Sequence, residues 1–136
     1  MLEFDKYIRL KKVKIVEKDK FLGKLLLKDA KDKYEDLEVL RNSKLKLENC
    51  YDVMREAADA VLLKEGYKSY SHEASIVFLY ENNIIEKREM HQFNRFRNLR
   101  NKSKYEAMDI DENDSKSCSA LVKVILRKIE RFLNNN

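Results

Sequence analysis

The sequence contains no proline and only two glycines, Gly23 and Gly66, in 136 residues. A β-protein of that length needs many tight turns, and tight turns draw on glycine and proline. Their scarcity argues against a sheet protein and leaves helices joined by polar turns. Cys50 and Cys118 are the only cysteines, too few for a disulfide framework. No apolar run approaches the ~18 residues of a membrane span, and the N-terminus carries no signal-peptide apolar stretch. A soluble, cytoplasmic protein with no membrane partner is therefore expected. Neither glycine belongs to a Gly-rich phosphate loop, and His72 and His91 form no HExxH or Cys-paired spacing. No metal site and no cofactor are expected.

What is present suits one folded unit: 43% hydrophobic and 39% charged residues. Residues 1–20 alternate apolar and basic positions, with Val13 and Ile15 set among Arg9, Lys11, Lys12 and Lys14. Period-two alternation predicts an extended arm, with a short helix at its start as the other choice. From Phe21 to about Leu40, apolar residues at Leu22, Leu25, Leu26, Ala30, Tyr34 and Leu37 recur at three- and four-residue steps, predicting a helix. A second helix runs through Leu47, Cys50, Tyr51, Met54, Ala57, Ala58 and Val61 and stops at Gly66; its alanines permit close helix approach. Tyr67 to Ser71 reads as a connector, with Ser69 or Ser71 capping a third helix to about Glu81. Asn83 and Glu86 have capping-box spacing before a fourth helix, and Asp109 or Asp111 starts a last one. The expected fold is all-α: an antiparallel four- to five-helix bundle over 21–136, preceded by a short N-terminal arm over 1–20.

Charge is unevenly distributed. Between Lys87 and Lys104 seven basic residues stand against one acid, Glu89, so the rest of the chain is close to neutral. Glu106, Asp109, Asp111, Glu112 and Asp114 follow with no basic residue among them. Clustered arginine with aromatics suits phosphate or RNA contact. A solvated basic helix face followed by an acidic helix start accounts for the same pattern. Phe93, Phe96 and Leu99 share one side of a helix, and Arg97, Arg100 and Lys104 another. Arg100 and Tyr105 stand about 140° apart on an ideal helix, so convergence on one phosphate requires a bend or an end between them. His72 follows a cap position and is expected to fix a helix start. Cys50 and Cys118 lie on apolar stripes and read as core residues.

Three segments carry a family resemblance. Tyr51-Asp52-Val53-Met54-Arg55-Glu56-Ala57-Ala58-Asp59-Ala60-Val61-Leu62-Leu63 with Gly66-Tyr67 is the first, and Ser71-His72-Glu73 with Ile76 and Phe78-Leu79 the second. The third is Arg100-Asn101-Lys102-Ser103-Lys104-Tyr105. Together they resemble HEPN-domain proteins (higher eukaryotes and prokaryotes nucleotide-binding), of the small stand-alone prokaryotic and archaeal type found beside minimal nucleotidyltransferases, over about residues 20–134. The resemblance implies a homodimer, a nucleotidyltransferase partner in a toxin–antitoxin-like pair, and nucleotide or RNA as ligand. It further implies metal-independent RNA cleavage in which an arginine holds the phosphate and a histidine moves a proton.

On that pattern Arg100 is the phosphate clamp, with Asn101 and Tyr105 as the other candidate catalytic residues; Arg97 and Lys104 join Arg100 and Asn101 as phosphate or nucleotide ligands. The family's histidine falls at Tyr105, and no histidine follows His91. A phenol titrates several units above an imidazole, so tyrosine is a poor replacement in proton transfer. The first reading is therefore a nucleotide- or RNA-binding protein. The second is a slow metal-independent endoribonuclease using Arg100, and the third is a helical oligomer with no nucleotide ligand.

Overall fold

The computed structural model describes residues 3–135. Met1, Leu2 and Asn136, which fall within the two segments expected from the sequence, lie outside the described residues. The chain is a helical bundle of α1 (Glu3–Arg9), α2 (Lys20–Leu37), α3 (Ser43–Glu65), α4 (His72–Glu81), α5 (Lys87–Glu106) and α6 (Glu112–Asn134), with two three-residue strands, β1 (Val13–Ile15) and β2 (Tyr67–Ser69).

Helix α3 is the axis of the fold. Leu47, Cys50, Tyr51, Met54, Ala57, Ala58, Ala60, Val61 and Leu62 are all fully buried, which is too many to fit one stripe. A helix apolar around most of its circumference must be covered from several sides, and α2, α4, α5 and α6 all pack on it. Residue pairings give the directions. Gly23 meets Ala60, while Lys33 lies 2.9 Å from Glu56, so α2 and α3 are antiparallel. The Tyr34 hydroxyl donates to the Ser119 carbonyl (2.9 Å) and Lys31 reaches Glu130 (2.9 Å), making α2 and α6 antiparallel too. Arg95–Asp114 and Glu89–Lys128, both 2.6 Å, do the same for α5 and α6.

Local signals set the helix ends. Asp19, Asn42, Ser71 and Asp111 each accept a backbone N–H from the first turn of α2, α3, α4 and α6, as short polar side chains do at N-caps. Gly66 ends α3 at φ 93° and passes the chain to β2. The start of α5 differs from expectation. Asn83 sits at φ 58° in the preceding turn, a conformation asparagine tolerates well. The capping pair is Glu86 with Glu89 instead, the Glu86 N–H donating to Glu89 at 2.8 Å. Glu89 is buried, and its carboxylate also takes Lys128, so a tertiary ion pair decided the register.

Residues 3–20 are not an extended arm throughout. They form α1 and then β1, the latter where apolar and basic residues alternate. Phe4 is buried against Phe78 and Tyr67, with ring centroids 4.8 and 5.1 Å away. Tyr67–Ser69, expected as a connector, pairs antiparallel with β1, Val13 opposite Ser69 and Ile15 opposite Tyr67. The apolar stripe of α2 also differs: Leu22 and Leu25 are exposed, and the buried line is Gly23, Leu27, Ala30 and Tyr34.

Gly23 fixes how closely α2 approaches α3. A Cβ added there would lie 2.8 Å from the Ala60 carbonyl oxygen, a backbone atom that cannot swing away. Overpacking costs about 1–3 kcal/mol, more than the roughly 1 kcal/mol by which alanine exceeds glycine in a helix. Gly23→Ala is therefore expected to lower the melting temperature by several degrees. A rise in a calorimetric scan would contradict this packing.

Candidate functional site

The basic segment folds as α5, and its two faces are used differently. Phe93 and Phe96 are buried, Phe93 meeting Tyr51 of α3 edge-on with centroids 5.6 Å apart. Arg97 and Arg100 lie off this stripe and reach the gap between α5, α3 and the start of α4. Arg100 is 7% exposed. Its guanidinium carbon stands 5.9 Å from the Tyr51 ring centroid and 5.7 Å from that of Tyr105. One terminal nitrogen is 3.1 Å from Asp52 and the other donates to Asn101 Oδ1 at 3.2 Å. Arg97 reaches Glu73 at 3.5 Å. The Nε of each arginine is buried with no hydrogen-bond partner among the described residues. A guanidinium carries five donors, so each of these two has capacity left for an anion.

A cleft of about 380 Å³ opens over these groups, lined by Ser71, His72 and Glu73 from the start of α4 and by Arg97, Arg100, Asn101, Tyr105 and Glu106 from α5. Four of the residues picked out in the sequence thus share one cleft: Arg97, Arg100, Asn101 and Tyr105. Lys104 does not line it; its ammonium stands 6.0 Å from the Tyr105 ring centroid, outside the arginine pair. No bend brings Arg100 and Tyr105 together, since α5 runs unbroken to Glu106. The long arginine side chain reaches along the helix to the Tyr105 ring, which is 70% exposed.

The last turn of α5 is fastened from α3. Lys44 donates to the carbonyls of Ser103 and, at 3.2 Å, Met108, while the Ser103 hydroxyl donates to Glu48. A cation on the final carbonyls complements the helix dipole. This holds the turn that carries Arg100, Asn101 and Tyr105 in register with Tyr51 and Asp52.

His72 is the cleft residue that the sequence reading set aside. It opens α4, as expected from the Ser71 cap, and it also lines the cleft. Its Nδ1 lies 2.9 Å from the Tyr51 hydroxyl, and the two rings are nearly parallel at 14°. Burial pushes its pKa down to about 4, and Arg55, Arg100 and Arg97 add repulsion. Burial pushes the Tyr51 hydroxyl up, so it stays protonated. The spacing of His72 from the basic segment holds no clue to this proximity, which arises only from the crossing of α4 and α5 on α3.

Comparison of the chain with protein-family models, curated proteins and solved structures finds no match. Among the described residues no group of three or more His, Cys, Asp or Glu is placed to hold a metal ion. Both cysteines are fully buried, away from the cleft. Burial raises the Cys50 thiol to about 11 and Cys118 well above its ordinary value. A thiol reagent such as Ellman's is expected to leave both untouched in the folded protein and to titrate both after denaturation. Rapid reaction of either under native conditions would contradict this core.

Proposed function

We propose that the cleft binds the phosphate group of a nucleotide or RNA, and that the chain is a HEPN-type binding protein. The observation carrying this reading is the pair of arginines, Arg97 and Arg100, that line one open cleft with more donors than their carboxylate and amide contacts use. Each guanidinium carries five donors, and a phosphate offers several acceptor oxygens for those that Asp52, Asn101 and Glu73 leave unused. Arginine suits the task because its planar fork matches phosphate geometry and remains charged. Tyr105 adds an exposed ring beside Arg100, a surface on which a base can stack. Asp52 and Glu73 hold the arginines in the absence of ligand and compete with anions, which favours a phosphate small enough to enter beside them.

The HEPN resemblance supports the same reading and brings with it a homodimer and a nucleotidyltransferase partner in a toxin–antitoxin-like pair. Slow RNA cleavage is the second reading, favoured by the imidazole of His72 in the cleft. Binding is preferred because neither Tyr105 nor a histidine titrating near neutrality stands ready to move a proton.

Fluorescence polarisation with a labelled single-stranded RNA in EDTA separates the readings, with AMP as competitor. Wild type is expected to bind, more weakly as salt rises, and to leave the RNA intact. Arg97→Ala and Arg100→Ala are each expected to weaken binding at least tenfold, about 1.4 kcal/mol. RNA cut by wild type but not by Arg100→Ala would establish the ribonuclease. No binding by wild type would leave a helical oligomer without this ligand, and equal binding by all three would place the RNA away from the cleft.

A further inference from the structure

His72 holds no place in the functional pattern that the basic segment suggested, yet it stands between the two arginines and the core. Tyr51 is fully buried, and His72 Nδ1 is the sole hydrogen-bond partner of its hydroxyl among the described residues. A buried hydroxyl needs an acceptor for its hydrogen. If Nδ1 carried a proton, the Tyr51 oxygen would accept from it, and the Tyr51 hydrogen would be left buried with nowhere to go. Donation from Tyr51 to Nδ1 is the arrangement that satisfies both groups. The imidazole then bears its one hydrogen on Nε2, the nitrogen on the other side of the ring from the Tyr51 contact.

We propose that His72 is a ligand-binding residue of the cleft, held by the Tyr51 hydroxyl in its Nε2–H form and donating that hydrogen to a phosphate oxygen shared with Arg97 and Arg100. The assignment rests on the cleft being a phosphate site and deepens it: the site is a three-donor cradle for a single phosphate group. It also gives the imidazole a role other than proton acceptor. With Nε2 already protonated, that nitrogen has no lone pair for a ribose hydroxyl proton. The charged surroundings agree. Arg55 from α3 and Arg97 and Arg100 from α5 oppose a second proton on the ring. Of the nearby carboxylates, Asp52 is engaged with Arg100 and Glu73 with Arg97, Glu73 also facing Tyr7 of α1, while Glu106 lines the cleft from the end of α5. In the free protein His72 is therefore neutral near pH 7.

Long-range proton–nitrogen NMR on the full chain labelled with 15N-histidine tests this, with His91→Gln assigning the second histidine. Free wild type is expected to show Nδ1 unprotonated, Nε2 protonated and a titration midpoint at least about one unit below the ordinary 6.5. Tyr51→Phe is expected to mix the two tautomers. Adding AMP, and separately inorganic phosphate, is expected to move the Nε2 signal. His72→Ala is expected to weaken AMP about tenfold or more, the loss of one hydrogen bond to a charged group. A protonated Nδ1, or a midpoint near 6.5, overturns the His72 assignment whatever the ligand does. AMP binding that Arg97→Ala weakens, with no movement at His72 and no loss in His72→Ala, overturns it while the phosphate cleft stands. No binding of AMP or phosphate, with the Nε2–H form observed, overturns the phosphate reading and the ligand role together, leaving only the tautomer.

Discussion

Burying Tyr51 is the constraint on which the site depends. The residue sits on α3 where α4 and α5 both cross, and three neighbours take different parts of it. Phe93 meets its ring edge-on, His72 stacks on it and takes its hydroxyl, and the Arg100 guanidinium approaches its ring from the α5 side. A buried tyrosine needs both an apolar bed and one polar partner. Satisfying those needs at one position fixes where α4 begins and which way α5 turns its basic face. Core packing and cleft geometry are thus one problem with one solution.

The chemistry of the cleft follows from how deeply Arg100 is set into its wall. Arg100 is almost wholly enclosed, so its charge is held by Asp52, Asn101 and two aromatic rings in place of solvent. Enclosure strengthens the pull of such a group on an incoming anion. The same enclosure, with three arginines nearby, keeps His72 neutral. Arg97 and Arg100 line the cleft, while burial holds His72 below its ordinary pKa and pushes the Tyr51 hydroxyl beneath it up. Such a set binds an anion firmly and offers little acid–base help, which is why the binding reading leads here.

Much of the fold was legible because its signals are local. Ser71, Asp111 and Gly66 mark helix boundaries with their own side chains or backbone freedom, and α6 carries an uninterrupted apolar stripe from Cys118 to Leu133. The misses were tertiary. Leu22 and Leu25 match helical spacing as well as Leu27 does, and only the close approach permitted by Gly23 decides which line is buried. Asn83 and Glu86 have capping-box spacing, but the Glu89–Lys128 pair selects the next register. Arg97, Arg100, Asn101 and Tyr105 were traceable because one helix carries them all. His72 was not, since its place beside them exists only once α4 crosses α3. Lys104 shared a helix side with the arginines by spacing, yet its ammonium is left outside the cleft.

The central claim is that an anion enters between the start of α4 and the C-terminal half of α5. Its most direct measurement is an amide chemical-shift map of the 15N-labelled protein titrated with AMP. Saturable shifts are expected at Ser71–Glu73, Arg97–Asn101 and Tyr105, with a second groove, lined by Lys87, Lys128 and Arg131 at the other end of α5, unaffected. Shifts confined to that second basic groove, or none at millimolar AMP, would contradict the account.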